Sequence, residues 1–357
     1  MDIKRVAVDS ETIKKILLEK RNFIVEELVN KQIEAYPEIK KIYGEDNYLK
    51  NLLKEAYYYL LHLNQSISIK EPEIFSNYIC LRKFSLESKN IPIKFLVDTL
   101  ELLKIIFINL FEKKELKSLY IYISFALKKL DKTPSKIKSF ISDGLYNEIS
   151  KKYINYLLKL KKEKAYQVIF DAIDSGISTK DLYINVFQKT QYELGRLYQL
   201  NKITKEEEYY VTTSTQNLIS IISKNDILEK KKNITIITTG ISEDLHELGI
   251  KMVSDFFNLE GWKTFYLGIN IPNKDIIEAV INKKANILAV SVTLPYHIEN
   301  LIVLIKEIKS NEKLNHLKII VGGYPFNSLP NLWKQINADG YAENAQKSIE
   351  LVKSFII

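Results

Sequence analysis

Residues 233–249 read NITIITTGISEDLHELG, and this stretch decides the fold of the last third of the chain. Residues 234–239 form a short, β-branched apolar run, and a helical pattern begins near residue 247. A run of this kind, followed by a loop and a helix, predicts the first strand–helix unit of an α/β domain. The loop contains an aspartate, a histidine and a glycine, residue types that suit a ligand site.

The same alternation continues to the end of the chain. Four more short apolar runs follow, at residues 263–267, 287–292, 317–321 and 340–342. Helical patterns lie between and after them, at residues 247–260, 273–283, 297–310 and 344–356. Strands and helices at this spacing predict a doubly wound, flavodoxin-like parallel sheet. Ligands of such sheets bind at the carboxyl ends of the strands.

Before residue 233 the sequence predicts helices only. Residues 1–145 form an all-α N-terminal domain, in which Pro72 and Pro92 suit the first turns of new helices. Residues 148–228 suffice for a four-helix bundle, with Thr204 as an N-cap. The three lysines at 230–232 predict a solvated hinge before the α/β domain, residues 233–357.

Composition narrows the class of protein. Apolar residues make up 46% of the 357 residues, which excludes global disorder. No apolar run approaches the ~20 residues that a bilayer span needs, and the N-terminus lacks the apolar core of a signal peptide. A single cysteine, Cys80, excludes an internal disulfide. We expect a soluble cytoplasmic protein that does not associate with membranes.

The net charge of +8 raises the question of nucleic-acid binding. The basic residues are 48 lysines and only 4 arginines, whereas base and phosphate recognition usually draws on the forked guanidinium of arginine. The lysines suit solvated faces. We therefore expect no direct binding to nucleic acid.

Three short motifs follow the first, third and fourth predicted strands. The first is Asp244-x-His246-x-x-Gly249; after 41 intervening residues comes Ser291-Val292-Thr293-Leu294, and after 27 more comes Gly322-Gly323. In order and spacing, this set resembles the Asp-x-His-x-x-Gly, Ser-x-Leu, Gly-Gly signature of cobalamin-binding domains of the methionine-synthase type. One departure is that threonine stands at 293 and leucine follows it.

The resemblance implies that His246 is the lower axial ligand of cobalt, replacing the cofactor's own base. Asp244 would accept the other ring N–H, and Gly249 would let the next helix approach the corrin. Small groups at Ser291, Thr293, Gly322 and Gly323 would leave a slot for the displaced nucleotide tail. The expected cofactor-binding residues are Asp244, Leu245, His246, Glu247, Gly249, Ser291, Thr293, Leu294, Gly322, Gly323, Tyr324, Tyr341 and, from the helical bundle, Tyr198, Glu208 and Tyr209.

The helical bundle also resembles a cap above the cofactor. Cobalamin-dependent photoreceptor regulators carry a Trp in this cap and, after nine residues, Glu-His. Here Tyr198 stands at the Trp position, followed after nine residues by Glu208 and Tyr209, and Gln199 replaces a histidine that some of them have. The resemblance implies that Glu208 bonds an upper ligand such as the adenosyl ribose. The alternative is that Tyr198 is core and Glu208 merely exposed.

Nothing in residues 1–145 resembles a winged helix-turn-helix. Residues 73–81, followed by Ile91-Pro92, resemble the N-terminal helical domains of stand-alone cobalamin proteins, some of which (photocobilins) pair cobalamin with a bilin such as biliverdin. Cys80 would then attach or contact the pigment. The alternative is that Cys80 is a core residue of a packed, aromatic-rich bundle.

The remaining histidines give no separate site. His297 opens a predicted helix and His316 precedes a strand, so both are expected to face solvent. His62 lies in an N-terminal helix, either packed or exposed. The sequence contains no nucleophile elbow of the kind that would indicate a hydrolase.

Two functions remain open. The first, which we favour, is a cobalamin-based sensor with a protein partner or as a homo-oligomer, preferring adenosylcobalamin over methylcobalamin. The second is a corrinoid carrier in a methyltransferase system, the form that an enzymatic role would take. A mutase would need a (β/α)₈ barrel, for which this chain has no room.

Overall fold

The computed structural model describes residues 10–223 and 232–356. Residues 224–231, which include the predicted end of the cap and two lysines of the predicted hinge, lie outside the described residues. The chain divides into two compact units, Met1–Ile137 with Gln199–Lys202, and Lys138–Tyr198 with Ile203–Ile357. Among the described residues, no helix combines the length and apolar character that a bilayer span requires.

The first unit is helical, as predicted. Its helices are α1 (Ser10–Glu19), α2 (Arg21–Ala35), α3 (Ile39–Tyr43), α4 (Tyr48–Ser68), α5 (Pro72–Glu87), α6 (Ile93–Ile108) and α7 (Lys113–Asp131). Pro72 is the first residue of α5 and Pro92 immediately precedes α6, which confirms both predicted helix starts. The core is rich in aromatic side chains that are fully buried: Tyr59, Phe75, Phe95, Phe107 and Tyr122.

His62 is a packed residue of this unit. Its ring stacks on Tyr78, with 3.8 Å between the ring centroids. The Nδ1 atom lies 2.8 Å from the carbonyl oxygen of Tyr58, so that Nδ1–H donates to it. Burial lowers the pKa of His62 to about 4, although the carbonyl contact opposes this shift. The histidine is therefore neutral in the folded protein at physiological pH.

The second unit begins with the helical bundle. Its helices are α8 (Asn147–Leu158), α9 (Lys162–Asp174), α10 (Thr179–Leu182), α11 (Lys189–Gln199) and α12 (Lys205–Ile222), with a π-helical segment, Tyr183–Gln188, between α10 and α11. Thr204 caps α12: its hydroxyl accepts the Glu207 N–H at 3.2 Å, and the Glu207 carboxylate accepts the Thr204 N–H at 2.7 Å. The predicted N-cap is confirmed.

The α/β part of this unit is a five-stranded parallel sheet in the order β2-β1-β3-β4-β5. The strands are β1 (Lys232–Gly240), β2 (Trp262–Tyr266), β3 (Ile287–Ser291), β4 (Lys318–Gly322) and β5 (Gly340–Tyr341). The helices are α13 (Leu248–Leu259), α14 (Asn273–Lys283), α15 (Ile298–Lys309), α16 (Tyr324–Ser328), α17 (Leu332–Gln335) and α18 (Ala345–Ser354). The flavodoxin-like prediction is confirmed. The short helices α16 and α17 were not predicted.

The bundle packs against the sheet domain along α13. One apolar cluster contains Phe187 and Ile219 of the bundle together with Phe256 and Trp262 of the α/β part. Two polar contacts reinforce it: the Tyr183 hydroxyl donates to the Asp255 carboxylate at 3.2 Å, and Lys180 Nζ lies 2.6 Å from Glu260 Oε1. The two parts thus share a core. The predicted three-domain division remains a prediction.

His62 makes the stability of the first unit dependent on pH. Its pKa is lower in the folded state than the ordinary 6.5, so the unfolded chain binds the extra proton. Stability should therefore be full above about pH 6.5 and fall as pH drops toward 4, by about 2 kcal/mol between about pH 7.5 and about pH 5. Urea midpoints at the two pH values measure this difference.

Two matched variants show whether His62 causes this pH dependence. His62→Phe keeps a ring against Tyr78 but cannot titrate, so it should lose most of this acid sensitivity. His316→Gln, at an exposed histidine, should retain it. An undiminished pH slope in His62→Phe would show that the group responsible lies elsewhere.

Candidate functional site

The site is built where the loops after β1 and β3 meet. In this strand order β2 and β3 lie on opposite sides of β1, so the direction in which strands are added reverses after β2, and the carboxyl ends of β1 and β3 flank this switch point. Asp244, in the loop after β1, bridges the two loops. Its Oδ2 accepts the backbone N–H of Thr293 at 2.6 Å and that of Leu294 at 3.4 Å.

The other oxygen of Asp244 holds His246. Asp244 Oδ1 accepts the backbone N–H of His246 at 3.1 Å, and His246 Nδ1 lies 2.7 Å from the same oxygen. Asp244 is only 2% exposed. Burial raises its pKa, but the hydrogen bonds from His246 and Thr293 outweigh burial and hold the pKa below its ordinary value. The carboxylate is therefore charged and fixed in place.

This contact selects one tautomer of His246. With Nδ1–H donating to a carboxylate, Nε2 is the nitrogen that carries the free lone pair. The His246 side chain is 53% exposed, in a loop rather than in a helix or strand. An imidazole that is accessible through Nε2 and bonded to a carboxylate through Nδ1 is the usual arrangement of a metal-binding histidine.

A row of small residues crosses the sheet beside this pair. Gly240 of β1 pairs with Ser291 of β3, and Ser291 pairs with Gly322 of β4. A Cβ atom at Gly322 would lie 3.0 Å from the Ala342 carbonyl oxygen, and one at Gly240 would lie 2.8 Å from the Ile269 side chain. Gly240 was not among the predicted site residues. Both glycines are therefore packed closely against neighbouring protein atoms, and the slot for a nucleotide tail stays a prediction.

Two further glycines have opposite surroundings. Gly323 has φ of +103°, and a Cβ atom there would lie 2.0 Å from the Val292 carbonyl oxygen. Only glycine fits this position, which brings the end of β4 against the loop after β3. A Cβ atom at Gly249, in the first turn of α13, would meet no protein atom within 4 Å. That open side fits the predicted approach of a large flat cofactor.

Glu247 connects the site loop to the helical bundle. It accepts hydrogen bonds from the Tyr266 hydroxyl at 3.0 Å and from Gln216 Nε2 at 3.1 Å. Gln216 belongs to α12, so the bundle is tied to the loop one residue after His246. Tyr266 and Gln216 were missed, because no local sequence signal marks them.

The predicted cap residues differ in their surroundings. Glu208 is half-buried, and burial raises the pKa of its carboxyl, with the nearby His246 opposing the shift. Glu208 is thus close enough to His246 for an electrostatic interaction. Tyr198 is 37% exposed and Tyr209 is more exposed still, so neither is a core residue. Leu245, in the site loop, is also exposed.

A further tyrosine of the bundle, Tyr192, lies near the β5 end of the sheet. Burial raises the pKa of Tyr192; Gln188 opposes the shift by donating to its hydroxyl at 2.9 Å, and the nearby Glu343 carboxylate adds to it. Glu343 follows β5, where the Tyr341 hydroxyl donates to Asn327 at 2.9 Å. Tyr192 was not predicted.

Tyr324 begins α16 directly after Gly323 and is exposed. With Tyr341, it places two of the predicted tyrosines on the β4–β5 side of the site. Glu208 lies on the β1 side, close to His246. The bundle therefore spans the carboxyl edge of the sheet.

The prediction for His297 was wrong. His297 is 7% exposed, and its Nδ1 lies 3.9 Å from Glu243 Oε2. It ends a short 3₁₀ turn, Pro295–His297, that packs against the loop after β1. Burial lowers its pKa, with Asp244 and Glu243 opposing the shift. His316 is exposed, as predicted.

Comparison with known proteins identifies the ligand class. Residues 234–350 match a family model described as a B12 binding domain, and residues 149–223 match a second model with the same description. Trimethylamine corrinoid protein 2 of Methanosarcina mazei is 25% identical over 213 residues, which cover 58% of this chain and 95% of that protein. Dimethylamine corrinoid protein 3 of Methanosarcina acetivorans is 21% identical over 60% of this chain and 98% of its own length.

A solved structure shares the fold. The monomethylamine corrinoid protein of Methanosarcina barkeri superimposes with a TM-score of 0.53 and 18% identity, covering 58% of this chain and 98% of that one. This chain carries a cobalamin-binding α/β domain preceded by its helical cap, and both matched segments lie in the second unit. These relatives leave about two fifths of the chain without a counterpart.

Glycine substitutions separate folding from binding. Gly249→Ala meets no protein atom and replaces glycine by a better helix former, so the unfolding midpoint should hold or rise. Its methyl group would crowd the corrin, so cobalamin affinity should fall about tenfold. Titration with hydroxocobalamin, followed by absorbance, measures the affinity.

Gly323→Ala is the matched change at the strained position. It should destabilise the protein by at least about 2 kcal/mol, because the methyl group cannot coexist with the Val292 carbonyl. Unchanged cobalamin affinity in Gly249→Ala would place the corrin away from the first turn of α13.

Proposed function

We propose that this chain is the corrinoid component of a methyl-transfer system, with cobalamin held between the cap and the α/β domain and His246 as the lower ligand of cobalt. The observation that carries the proposal is the Asp244–His246 pair, joined at 2.7 Å, with a buried carboxylate and a half-exposed imidazole at the carboxyl end of β1. Bound cobalamin would supply a cobalt centre that accepts and gives up a methyl group.

The chain's own residues would hold and orient that centre. The buried charge of Asp244 makes Nε2 of His246 a stronger ligand, because it stabilises the donated Nδ1 proton. Two backbone N–H groups, of Thr293 and His246, hold the carboxylate in its orientation. Glu247 fixes the end of the loop through Gln216 and Tyr266. The histidine is thus presented by a braced loop.

The matched relatives support a carrier over a sensor. Those described above are named as corrinoid proteins of trimethylamine, dimethylamine and monomethylamine. The two curated relatives match this chain over nearly their whole length. We infer that methyltransferases are the protein partners, and methylated amines are the first substrate class to test.

The sensor interpretation has less support. It rested on the additional helical N-terminal module, on Glu208 and Tyr198 in the cap and, for a bilin, on Cys80 in that N-terminal module. Cys80 is half-buried on α5 and accepts a hydrogen bond from the Thr133 hydroxyl at 3.0 Å, which fits a packed residue. The matched relatives support neither the preference for adenosylcobalamin nor a bilin.

The axial ligand is tested by spectra of the cobalamin-loaded protein. The wild type should show the base-off/His-on absorbance spectrum, and His246→Ala should lose it. Asp244→Asn keeps the histidine but removes the buried charge, so affinity should fall about 10- to 100-fold. His316→Ala is the control at an exposed histidine. Persistence of the spectrum in His246→Ala would contradict the assignment of the ligand.

Experiments in the dark and in light distinguish a methyl carrier from a light sensor. Protein loaded with methylcobalamin should be demethylated in the dark by a corrinoid:thiol methyltransferase and a thiol, as followed by the loss of the methylcobalamin absorbance. Its oligomeric state should not respond to green light. No demethylation, combined with a light-dependent change of oligomeric state, would establish the sensor instead.

A further inference from the structure

The site loop, residues 241–247, carries its histidine with little packing of its own. Ile241 and Asp244 are buried, whereas Glu243, Leu245 and His246 are exposed. Apolar burial therefore fixes the beginning of the loop but not the bend that leads to the histidine. Because a ligand loop must present its side chain in one place, polar contacts from outside the loop have to hold that bend.

The first such contact comes from the β2 side. Glu243 has φ of +68°, in the left-handed region that residues other than glycine rarely adopt. Its backbone N–H donates to Asn270 Oδ1 at 2.8 Å. Asn270 lies in the loop after β2 and has φ of +55°, a conformation that asparagine tolerates. The bend at Glu243 is thus held by a side-chain acceptor.

The second contact comes from the β3 side. Asn300, the third residue of α15, donates its Nδ2–H to the carbonyl oxygen of Ser242 at 3.1 Å. Since β2 and β3 lie on opposite sides of β1, the two asparagines reach the loop from opposite directions. One accepts from the loop backbone and the other donates to it, at the two residues that directly precede Asp244.

We propose that Asn270 and Asn300 are positioning residues for His246, and that they hold the site loop in its coordinating course before cobalamin binds. This inference rests on the proposed role of His246 as the lower ligand. Asp244 orients the imidazole relative to the loop, whereas the asparagines place the loop relative to the sheet. A loop that is formed in advance loses less conformational freedom on binding, which raises the affinity.

Exchange of asparagine for aspartate should give opposite results at the two positions. Asn270→Asp keeps the accepting oxygen, so its cobalamin affinity should stay within about twofold of the wild type, whereas Asn270→Gly keeps the backbone conformation but lacks the acceptor and should bind about threefold more weakly. Asn300→Asp loses the donor and sets a carboxylate against the Ser242 carbonyl oxygen, so its affinity should fall about tenfold.

Titration of the full chain with hydroxocobalamin, followed by absorbance, measures these affinities. At saturation, a smaller share of Asn300→Asp than of the wild type should show the base-off/His-on spectrum. An acidic residue in the first turn of a helix is favourable, so the urea midpoint of Asn300→Asp should hold. Asn147→Asp is the matched control: Asn147 begins α8 and donates to the Ser142 carbonyl oxygen at 3.2 Å, and its loss should leave affinity and spectrum unchanged.

Hydrogen exchange in the cobalamin-free protein tests whether the loop is formed in advance. Peptides that span residues 241–247 should exchange faster in Asn270→Gly than in the wild type, because the Glu243 N–H has lost its acceptor. Asn270→Asp should restore the slow exchange. Equal exchange in all three proteins would overturn the preformed loop.

The spectra separate this inference from the proposed function. A wild type without the base-off/His-on spectrum would contradict the role of His246 itself. A wild type that shows this spectrum, together with an Asn300→Asp variant equal to it in affinity and spectrum, would overturn the positioning role alone. Asn270→Asp as weak as Asn270→Gly would remove Asn270 from that role.

Discussion

A single buried carboxylate holds the site together. Asp244 accepts hydrogen bonds from backbone N–H groups of two loops that are about 50 residues apart in sequence, and it also accepts one from the ring Nδ1–H of His246. A buried charge without such donors would cost several kcal/mol, so each N–H that it accepts also fixes the loop that donates it. The orientation of His246 and the closeness of the loops after β1 and β3 both depend on this contact.

The glycines explain why those loops can approach so closely. At Gly323 the backbone passes against the Val292 carbonyl, where no Cβ atom fits. The Gly240–Ser291–Gly322 row keeps side chains short across three adjacent strand ends. The carboxylate and the glycines thus act together: the carboxylate accepts hydrogen bonds from both loops, and the glycines let neighbouring segments pack closely beside them.

The sheet and its helices were predictable because their signals are local. Short β-branched strands alternate with amphipathic helices, and the predicted strand limits agree with β1–β5 within two residues. The helical character of the first unit followed from periodicity in the same way. The short helices α16 and α17 escaped prediction because four or five residues carry too little periodicity. Tyr192, Gln216 and Tyr266 escaped because their roles arise from partners distant in sequence.

The sequence by itself determined the fold class, the cobalamin signature and the residues expected to hold the cofactor, since strand period, helix period and motif spacing are properties of neighbouring residues. Only the tertiary structure decided how those residues are used. It joined Asp244 to Thr293, buried His297 where a solvent-facing residue was expected, and brought Asn300 of α15 to the carbonyl oxygen of Ser242. Burial and pairing of side chains depend on segments that meet only when the chain has folded, and no local pattern encodes which segments those are.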